Sequence, residues 1–536
     1  MGERTLYYGD NLDILRNHLA AESVDLIYLD PPFNSQADYN LLFREETGEL
    51  SPAQIRAFTD YWHWDQSAET TYRAIIETCP PKVSTAIEAL RKLVGSNSMM
   101  AYLVMMALRL VELRRVLKPT GSIYLHCDDV AVQYLRLILD CIFTPANFRN
   151  EIIWQRTNAH NTANRYGRNY DIILFYSKSP QYTWNSLKIE YSDEQMKRYR
   201  SEGDRSYTGQ DLTAPRPNSN SGKFEWRGTM PSPGRGWGYT LEQLEEWWEQ
   251  GLILKRKDGT PRMDGLKVYL DEMPGKPLQA VWTDISRIAN TSSERMGFQT
   301  QKPIALLERI ISASSNKGEL VLDPFCGCGT AVVAAEKLGR QWIGIDITHL
   351  AMNVMKKRLR ESFPRVKFKV VGEPEDVPSA RALAEQDRYQ FQWWALSLIG
   401  AMPVTDDRKK GADEGIDGLL SFVDGPKGKA TRVIVQVKSG GVGAKDIRDL
   451  KGTMGDEALG LFITLEEPTQ PMQTEAVKAG FYKSEIWQRD FPRLQILTIE
   501  QLLAGQKPHL PGPTAITKKA PRVLKHKQPK LEPRDD

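Results

Sequence analysis

Cysteine is scarce in this chain: five thiols in 536 residues, of which only Cys326 and Cys328 lie close together. So sparse a set excludes a disulfide framework, and reduced thiols are expected. Long apolar runs are also missing, and nothing approaches the roughly 20 residues of a membrane helix. The first residues, Met1 to Thr5, lack the apolar core of a signal peptide. A cytoplasmic protein is therefore expected. Charge of one sign is lacking as well. With a formal net charge of only +3, any affinity for a polyanion must come from local patches.

What is present is a globular composition, 41% hydrophobic and 26% charged. The length calls for two or three cores. A strand over 24–29 stops at Asp30-Pro31-Pro32, because neither proline donates to a ladder. After a polar, aromatic-rich stretch come a mostly apolar helix over 99–117, a turn at Lys118-Pro119-Thr120-Gly121 and a strand over 122–126. A helix over 130–142 and strands over 151–154 and 171–176 follow. From 184 to 280 the alternation fails and glycine, proline, arginine and tryptophan become frequent, which reads as an inserted recognition region. A helix over 303–314, a strand over 319–322, a glycine-rich turn, a helix over 331–338 and a strand over 342–347 then make a βαβ unit of a parallel sheet. The predicted divisions are 1–183, 184–280, 281–375, a second α/β block over 386–505 and a basic disordered tail over 506–536.

Two strand ends carry chemistry. In Asp323-Pro324-Phe325-Cys326-Gly327-Cys328-Gly329-Thr330, glycines between a buried strand and a helix let backbone approach a ligand, and the helix N-terminus offers N–H groups to a carboxylate. The next strand ends at Asp346, an acid placed to accept from ribose hydroxyls. The spacing does not match the glycine fingerprint of dinucleotide dehydrogenases. Asp30-Pro31-Pro32-Phe33 closes a different strand. Alone it can be a mere strand terminator. Beside a nucleoside-binding loop it suits methylation of an exocyclic amine, whose lone pair is delocalised into the ring. A carboxylate and a fixed backbone carbonyl accepting both amino hydrogens would draw the nitrogen toward tetrahedral geometry, and the aromatic ring would stack on a flipped base.

With Asn34-Ser35, Tyr39-Asn40, Leu117-Lys118-Pro119-Thr120-Gly121-Ser122 and Thr300-Gln301-Lys302-Pro303, these motifs resemble the β-group of DNA amino-methyltransferases over about residues 6–371. In that family the catalytic motif precedes the recognition region and the glycine loop follows it. The resemblance implies an α/β, Rossmann-like methyltransferase domain dependent on S-adenosylmethionine, and double-stranded DNA as substrate. Asp30 and the Pro31 carbonyl, with Pro32, would hold the target amino group and Phe33 would stack. Asp323, Phe325, Gly327, Gly329, Thr330 and Asp346 would hold the cofactor, with Gln301, Lys302 and Pro303 around its methionine carboxylate. Asp10 matches the acidic position near the adenosine, although a helix-capping aspartate reads equally well. Members whose motif begins with aspartate mostly methylate adenine, so adenine is the expected base and N4 of cytosine the alternative. Cys326 and Cys328 read as small loop residues, since no second Cys/His pair has ligand spacing.

In the inserted region, Lys223-Phe224-Glu225-Trp226-Arg227, Arg235-Gly236-Trp237-Gly238-Tyr239 and Lys255-Arg256-Lys257 interleave cations with aromatics, as phosphate contact and groove reading require. The competing reading is a solvated insertion with a few buried tryptophans; Trp247 and Trp248 read as core.

In the second block, Asp417 precedes a strand and Gln436-Val437-Lys438 ends the next. An acid, a strand carbonyl and an ammonium so placed can surround a divalent ion. With Ile447-Arg448-Asp449-Leu450 and Leu461-Phe462-Ile463-Thr464, the block resembles the Mrr-like branch of the PD-(D/E)xK nucleases over about 391–503. This implies a smaller, restriction-endonuclease-like α/β domain, with Asp417 on magnesium and Gln436 and Lys438 at the catalytic positions. Gln436 stands where many relatives carry a metal-binding acid, so a DNA- or partner-binding module without cleavage remains the alternative. A restriction-modification enzyme is expected, with a homodimer or a separate restriction or translocase subunit as partners. No helicase motif is present.

Overall fold

The computed structural model describes residues 4–511 except 33–37, 45–49, 60–62, 159–163, 165, 192, 217–220, 274, 290–291, 293, 297–300, 405–415, 425–429 and 456–458. The motif residue Phe33 and residues 512–536 of the basic tail lie outside the described residues, whereas 506–511, expected in that tail, are held: Gln495 bonds the His509 backbone and Leu510 packs on the core of the second block. Of the paired strands Asp38–Arg44 and Leu50–Thr59, which hold Tyr39 and Asn40, only the backbone is described. The chain forms two compact units, Met1–Trp184 with Ala280–Asp536, and Asn185–Gln279.

The first unit is built on a nine-stranded sheet. In chain order its strands are β1 (Arg4–Tyr8), β2 (Val24–Leu29), β3 (Leu117–Cys127), β4 (Phe148–Gln155), β5 (Tyr170–Ser177), β6 (Val281–Trp282), β7 (Leu320–Asp323), β8 (Gln341–Asp346) and β9 (Lys369–Val371). Their spatial order is β6-β4-β5-β3-β2-β7-β8-β1-β9. β5 runs antiparallel to both neighbours, and the other pairings are parallel. β2 is buried along its whole length, as expected of a parallel strand covered on both faces. One face, carrying Ile27, Leu29, Ile123, Leu125, Ile172 and Leu174, packs against helices including Ser98–Val116 and Val132–Phe143. On the other face, Tyr124 meets Ser314 of helix Ile304–Ser314 through a 2.7 Å hydroxyl hydrogen bond.

The turn read at 118–121 is a bulge within β3: Leu117 pairs with Val24, pairing resumes at Ser122 with Leu26, and the residues between loop outward. Gly121 is required there, since a Cβ would lie 2.9 Å from the Asp25 carbonyl oxygen. The Lys118 ammonium closes the bulge on the Asp25 carboxylate at 2.8 Å.

Also within this unit, a five-stranded sheet runs β10 (Met402–Pro403), β11 (Gly418–Val423), β12 (Ala430–Lys438), β13 (Leu459–Thr464) and β14 (Leu494–Thr498) in that order. Val433, Val435 and Val437 pack with helices Val377–Gln386 and Arg388–Leu398. Ile434 packs on the opposite face with Ile447, Leu450 and Met472. Ala380, Leu383 and Ala384 belong to this core, so it gathers in residues before 386. Helix Arg388–Leu398 also meets the larger sheet's flank: the Gln390 Oε1 accepts from the His349 N–H and the Asn353 amide donates to the Trp393 carbonyl, both at 3.1 Å.

The second unit has a four-stranded antiparallel sheet ordered Ile253–Lys255, Pro261–Tyr269, Arg205–Gln210, Arg200–Glu202. Its core holds Leu212, Trp226, Trp237, Leu244, Ile253 and Leu266. Trp226 and Trp237, read from the sequence among groove-facing aromatics, are buried at 2% and 1% exposure. Several cations of the region are tied to acids, Arg227 to Glu245 and Arg235 to Asp211. Lys255, Arg256 and Lys257 remain exposed.

Candidate active site

β2 and β7 are parallel neighbours, with Leu26 opposite Val321 and Ile27 opposite Leu322. Their carboxyl ends therefore emerge side by side, next to that of β8, the place where open α/β sheets bind ligands. Asp30-Pro31-Pro32 and the glycine loop thus form two walls of one cavity of about 310 Å³, completed by Asp10, Tyr28, Arg109 and Lys302.

The loop is held from below. The Cys326 N–H donates to the Ile345 carbonyl at 3.0 Å, and the Gly329 N–H to the Cys326 carbonyl at 2.8 Å. Gly327 and Gly329 take left-handed φ of 51° and 75°, favouring glycine. A Cβ on Gly329 would lie 2.8 Å from Met355 Cγ, whereas one on Gly327 would meet nothing within 4 Å. The loop leads into helix Thr330–Lys337. Beneath it, buried Arg358 donates to the Cys328 carbonyl at 3.1 Å and to Thr330 Oγ1 at 3.2 Å. Cys326 and Cys328 are buried, and among the described residues no group of three His, Cys, Asp or Glu could hold a metal.

Four acids surround the cavity, each differently engaged. Burial, reinforced by the charges of Asp30 and Asp346, pushes the Asp323 carboxyl up to about 8; it accepts the Phe325 N–H at 3.1 Å. Asp346 is also raised by burial, and its two oxygens accept from Thr348 and from the Gly327 N–H, each at 2.9 Å. It therefore braces the loop while lining the cavity. Asp10 both caps and lines: it accepts the Leu12 N–H at 2.8 Å and pairs with Arg109 at 2.6 Å. Arg109 also donates to Asn11 Oδ1 at 2.5 Å, and the Asn11 amide donates to the Pro324 carbonyl at 2.8 Å.

Asp30 accepts the Lys302 ammonium on Oδ2 at 2.5 Å, while Oδ1 is buried with no hydrogen-bond partner. Expected at a cofactor carboxylate, Lys302 is directed instead to the acid of the neighbouring motif. The Gln301 side chain likewise braces its own loop, accepting the Met296 N–H at 2.7 Å and donating to the Glu294 carbonyl at 2.8 Å. Pro303 precedes helix Ile304–Ser314 as its N-cap. Sequence reading missed Arg109, Arg358 and a buried chain on three strands. The Tyr28 hydroxyl lies 3.1 Å from His126 Nδ1, and His126 Nε2 lies 3.1 Å from Asp171 Oδ2.

These walls suit a nucleoside carrying an amino-acid tail. Acids stand at one end, where they suit hydroxyl groups, the start of helix Thr330–Lys337 suits a carboxylate, and Asp30 Oδ1 lies buried without a hydrogen-bond partner.

In the second block, the Asp417 N–H donates to the Val435 carbonyl at 2.9 Å. Its carboxylate accepts the Gln392 amide at 2.5 Å and the Val437 N–H at 2.6 Å. Gln436 is buried with Oε1 unpartnered, and Lys438 is half-buried at the strand end. The three motif residues meet at one strand end. Among the described residues, however, this is one carboxylate whose two oxygens already accept internal donors, and no group of three His, Cys, Asp or Glu stands there for a cation. The described set does not fit magnesium.

Comparison with known proteins agrees with the larger site. Type II methyltransferase M.EcaI of Enterobacter cloacae is 34% identical over 261 residues, 48% of this chain and 57% of that protein. The StyLTI Mod subunit, of a type III restriction-modification enzyme of Salmonella typhimurium, is 27% identical over 353 residues, 62% of this chain and 50% of that one. DNA adenine methyltransferase YhdJ of Escherichia coli is 25% identical over 358 residues, 66% of this chain and 82% of that one. The chain thus spans about half the length of the first two. The family model described as DNA methylase, of the N6/N4 class, matches residues 24–357, most of the chain and both walls of the cavity. This chain belongs to the N6/N4 DNA methylase family.

Proposed function

We propose that the protein transfers a methyl group from S-adenosylmethionine to the exocyclic amino nitrogen of adenine at specific sites in double-stranded DNA, within a restriction-modification setting. The observation that carries this reading is the juxtaposition of Asp30, with one free oxygen, and the Asp323–Thr330 loop on adjacent parallel strands. Bound cofactor supplies an electrophilic methyl on a sulfonium; the protein's own groups do the rest. Asp30 Oδ1 and the Pro31 carbonyl accept the two amino hydrogens of a base turned out of the duplex, which localises the nitrogen lone pair. Lys302 fixes the Asp30 carboxylate in place. Asp346, Asp10 and the helix start at Thr330 orient the nucleoside and its tail.

Adenine is favoured by aspartate at the head of the motif and by the name of the relative YhdJ. N4 of cytosine is the alternative. The compact unit Asn185–Gln279 would read the target, and the match to a Mod subunit favours a separate restriction or translocase partner. Incubation of DNA with labelled cofactor, followed by single-molecule sequencing, should give methylated adenine in one sequence context. Absence of label in DNA, or label on cytosine alone, refutes the respective part of the reading.

For the second block, the internal donors on Asp417 favour a DNA- or partner-binding module over a nuclease. Deleting it should weaken DNA binding and leave methyl transfer in place. Magnesium-dependent cleavage of unmethylated plasmid, lost in Asp417→Ala and Lys438→Ala, would instead establish the nuclease.

A further inference from the structure

The peptide between Pro324 and Phe325, at the first turn of the glycine loop, is held along both edges. Its N–H is given to the Asp323 carboxyl at 3.1 Å, and its carbonyl accepts the Asn11 side-chain amide at 2.8 Å. Asn11 opens helix Asn11–His18, which follows β1, whereas Asp323 ends β7. The two holds on one peptide thus come from two strand ends, 313 residues apart in sequence where Asn11 meets Pro324.

An amide turned the other way would set its oxygen against the Pro324 carbonyl and repel it. Arg109, on helix Ser98–Val116, decides the sense. Its Nε donates to Asn11 Oδ1 at 2.5 Å, and its other two nitrogens donate to the Met105 carbonyl at 3.3 Å and to Asp10 at 2.6 Å. A guanidinium only donates and a carbonyl only accepts, so the amide between them fits in one orientation alone. Asn11 is buried and the Arg109 side chain is only 12% exposed. Burial pulls the guanidinium below its ordinary value while the Asp10 charge pushes the other way. A cation so placed is held by its partners.

We propose that Arg109 and Asn11 are positioning residues for the cofactor: Arg109 fixes the sense of the Asn11 amide, and Asn11 fixes the plane of the Pro324–Phe325 peptide. A peptide unit is rigid, so a tilt of that plane passes to the backbone that follows it. The next N–H groups, of Cys326 and Gly327, are given to the Ile345 carbonyl and to Asp346. All of these residues line the cavity, so the direction of its loop wall is set from the end of β1. The identity of the cofactor rests on the S-adenosylmethionine reading above; the brace does not.

The test uses the full chain without DNA and reads two quantities: S-adenosylmethionine affinity by calorimetry, and amide hydrogen exchange over residues 325–329 of the ligand-free protein. Asn11→Ala should weaken the affinity about tenfold and speed that exchange about tenfold, the scale of one buried hydrogen bond left unmade, while strand Leu459–Thr464 keeps its rate. Asn11→Asp has nearly the same shape but sets an oxygen against the Pro324 carbonyl, so both effects should grow to about 30-fold. Arg109→Met with Asn11→Ala should fall within about threefold of Arg109→Met alone, because the two act through one peptide. Arg109→Lys lacks the rigid fork that serves Asn11 and Asp10 together, and should weaken the affinity about tenfold.

An Asn11→Asp protein that binds the cofactor as well as Asn11→Ala, or better, overturns the inference, since that is the outcome of a packing role. So does weakened affinity with unchanged exchange in the ligand-free protein, the mark of side chains that only touch the cofactor. Losses that multiply in the double variant overturn it too. If Asn11→Asp does not fold, an Arg109→Lys of unaltered affinity overturns it by itself. An unaltered protein that binds no S-adenosylmethionine refutes the cofactor reading. Exchange in the ligand-free variants then decides the brace alone: faster over 325–329 supports it, unchanged overturns it.

Discussion

The Lys302 ammonium is clamped on the Asp30 carboxylate at 2.5 Å, with the two side chains only 10% and 16% exposed. One motif is thereby wired to the other across 272 residues of sequence. The contact joins the residue expected to meet the cofactor to the one expected to meet the base, so neither wall of the cavity is independent of the other.

Lys302→Met leaves Asp30 as an uncompensated buried charge. Urea unfolding should show a loss of about 3 kcal/mol, the scale for breaking a buried pair from one side. Adding Asp30→Asn should recover most of that stability while methyl transfer stays absent. A Lys302→Met protein as stable as the original would show that the pair is not needed to hold Asp30.

Asp323 gives a pH signature. Its folded value, about 8, lies above the ordinary carboxylate value near 4 that it regains on unfolding. Between those limits the folded state holds a proton the unfolded state has lost, so stability falls as pH rises from about 4 to about 8 and then levels. In Asp323→Asn this contribution to the slope should vanish. Urea denaturation of the ligand-free protein at several pH values across that window checks it; equal slopes for both proteins would contradict the burial of an acid here.

The loop glycines should differ from each other. Gly329→Ala combines a left-handed φ of 75° with a clash on Met355, whereas Gly327→Ala carries the φ of 51° alone. About 1 kcal/mol of strain is expected for Gly327→Ala and more for Gly329→Ala, with cofactor affinity falling in the same order by calorimetry. Reversal of that order would point to Gly327 as the closer contact with the ligand.

In the Asn185–Gln279 unit, replacing Lys255, Arg256 and Lys257 by glutamine tests phosphate contact. DNA affinity should fall uniformly across sequences, and the slope of log affinity against log salt should shrink by up to about 3. Cofactor affinity should not change. An unaltered salt slope would place the DNA track elsewhere.

Strand ends were legible because proline and glycine punctuate them: Asp30-Pro31-Pro32 and the Asp323–Thr330 loop end the strands read from the apolar runs before them. That those two ends stand together was not legible from local pattern, since β2 and β7 are paired by tertiary folding. Lys302 was found, but its partner was not: an ammonium beside a buried carboxylate settles on it whatever a motif suggests. Tyr28, His126 and Asp171 left no signal at all, because alternate positions on three separate strands share no spacing. In the inserted unit, short antiparallel strands masked the regularity of the sheet, and core tryptophans among arginines looked like binding residues. Trp226 illustrates the ambiguity: its ring is buried while its indole N–H reaches Glu245 at 2.8 Å.

The pairing of β2 with β7 joins backbone emerging early in synthesis to backbone emerging late; the Asp25 carboxylate accepts the Leu320 N–H across 295 residues. A ribosome that has released Asp30 has not yet made the strand that completes its pocket. A nascent chain therefore holds Asp30 without its neighbour until Leu320–Asp323 has been translated, and a product that stops in the inserted unit carries Asp30 with no glycine loop beside it. Expressed as two fragments divided within that inserted unit, the protein would have the cavity in neither piece and regain it only when β2 and β7 find each other.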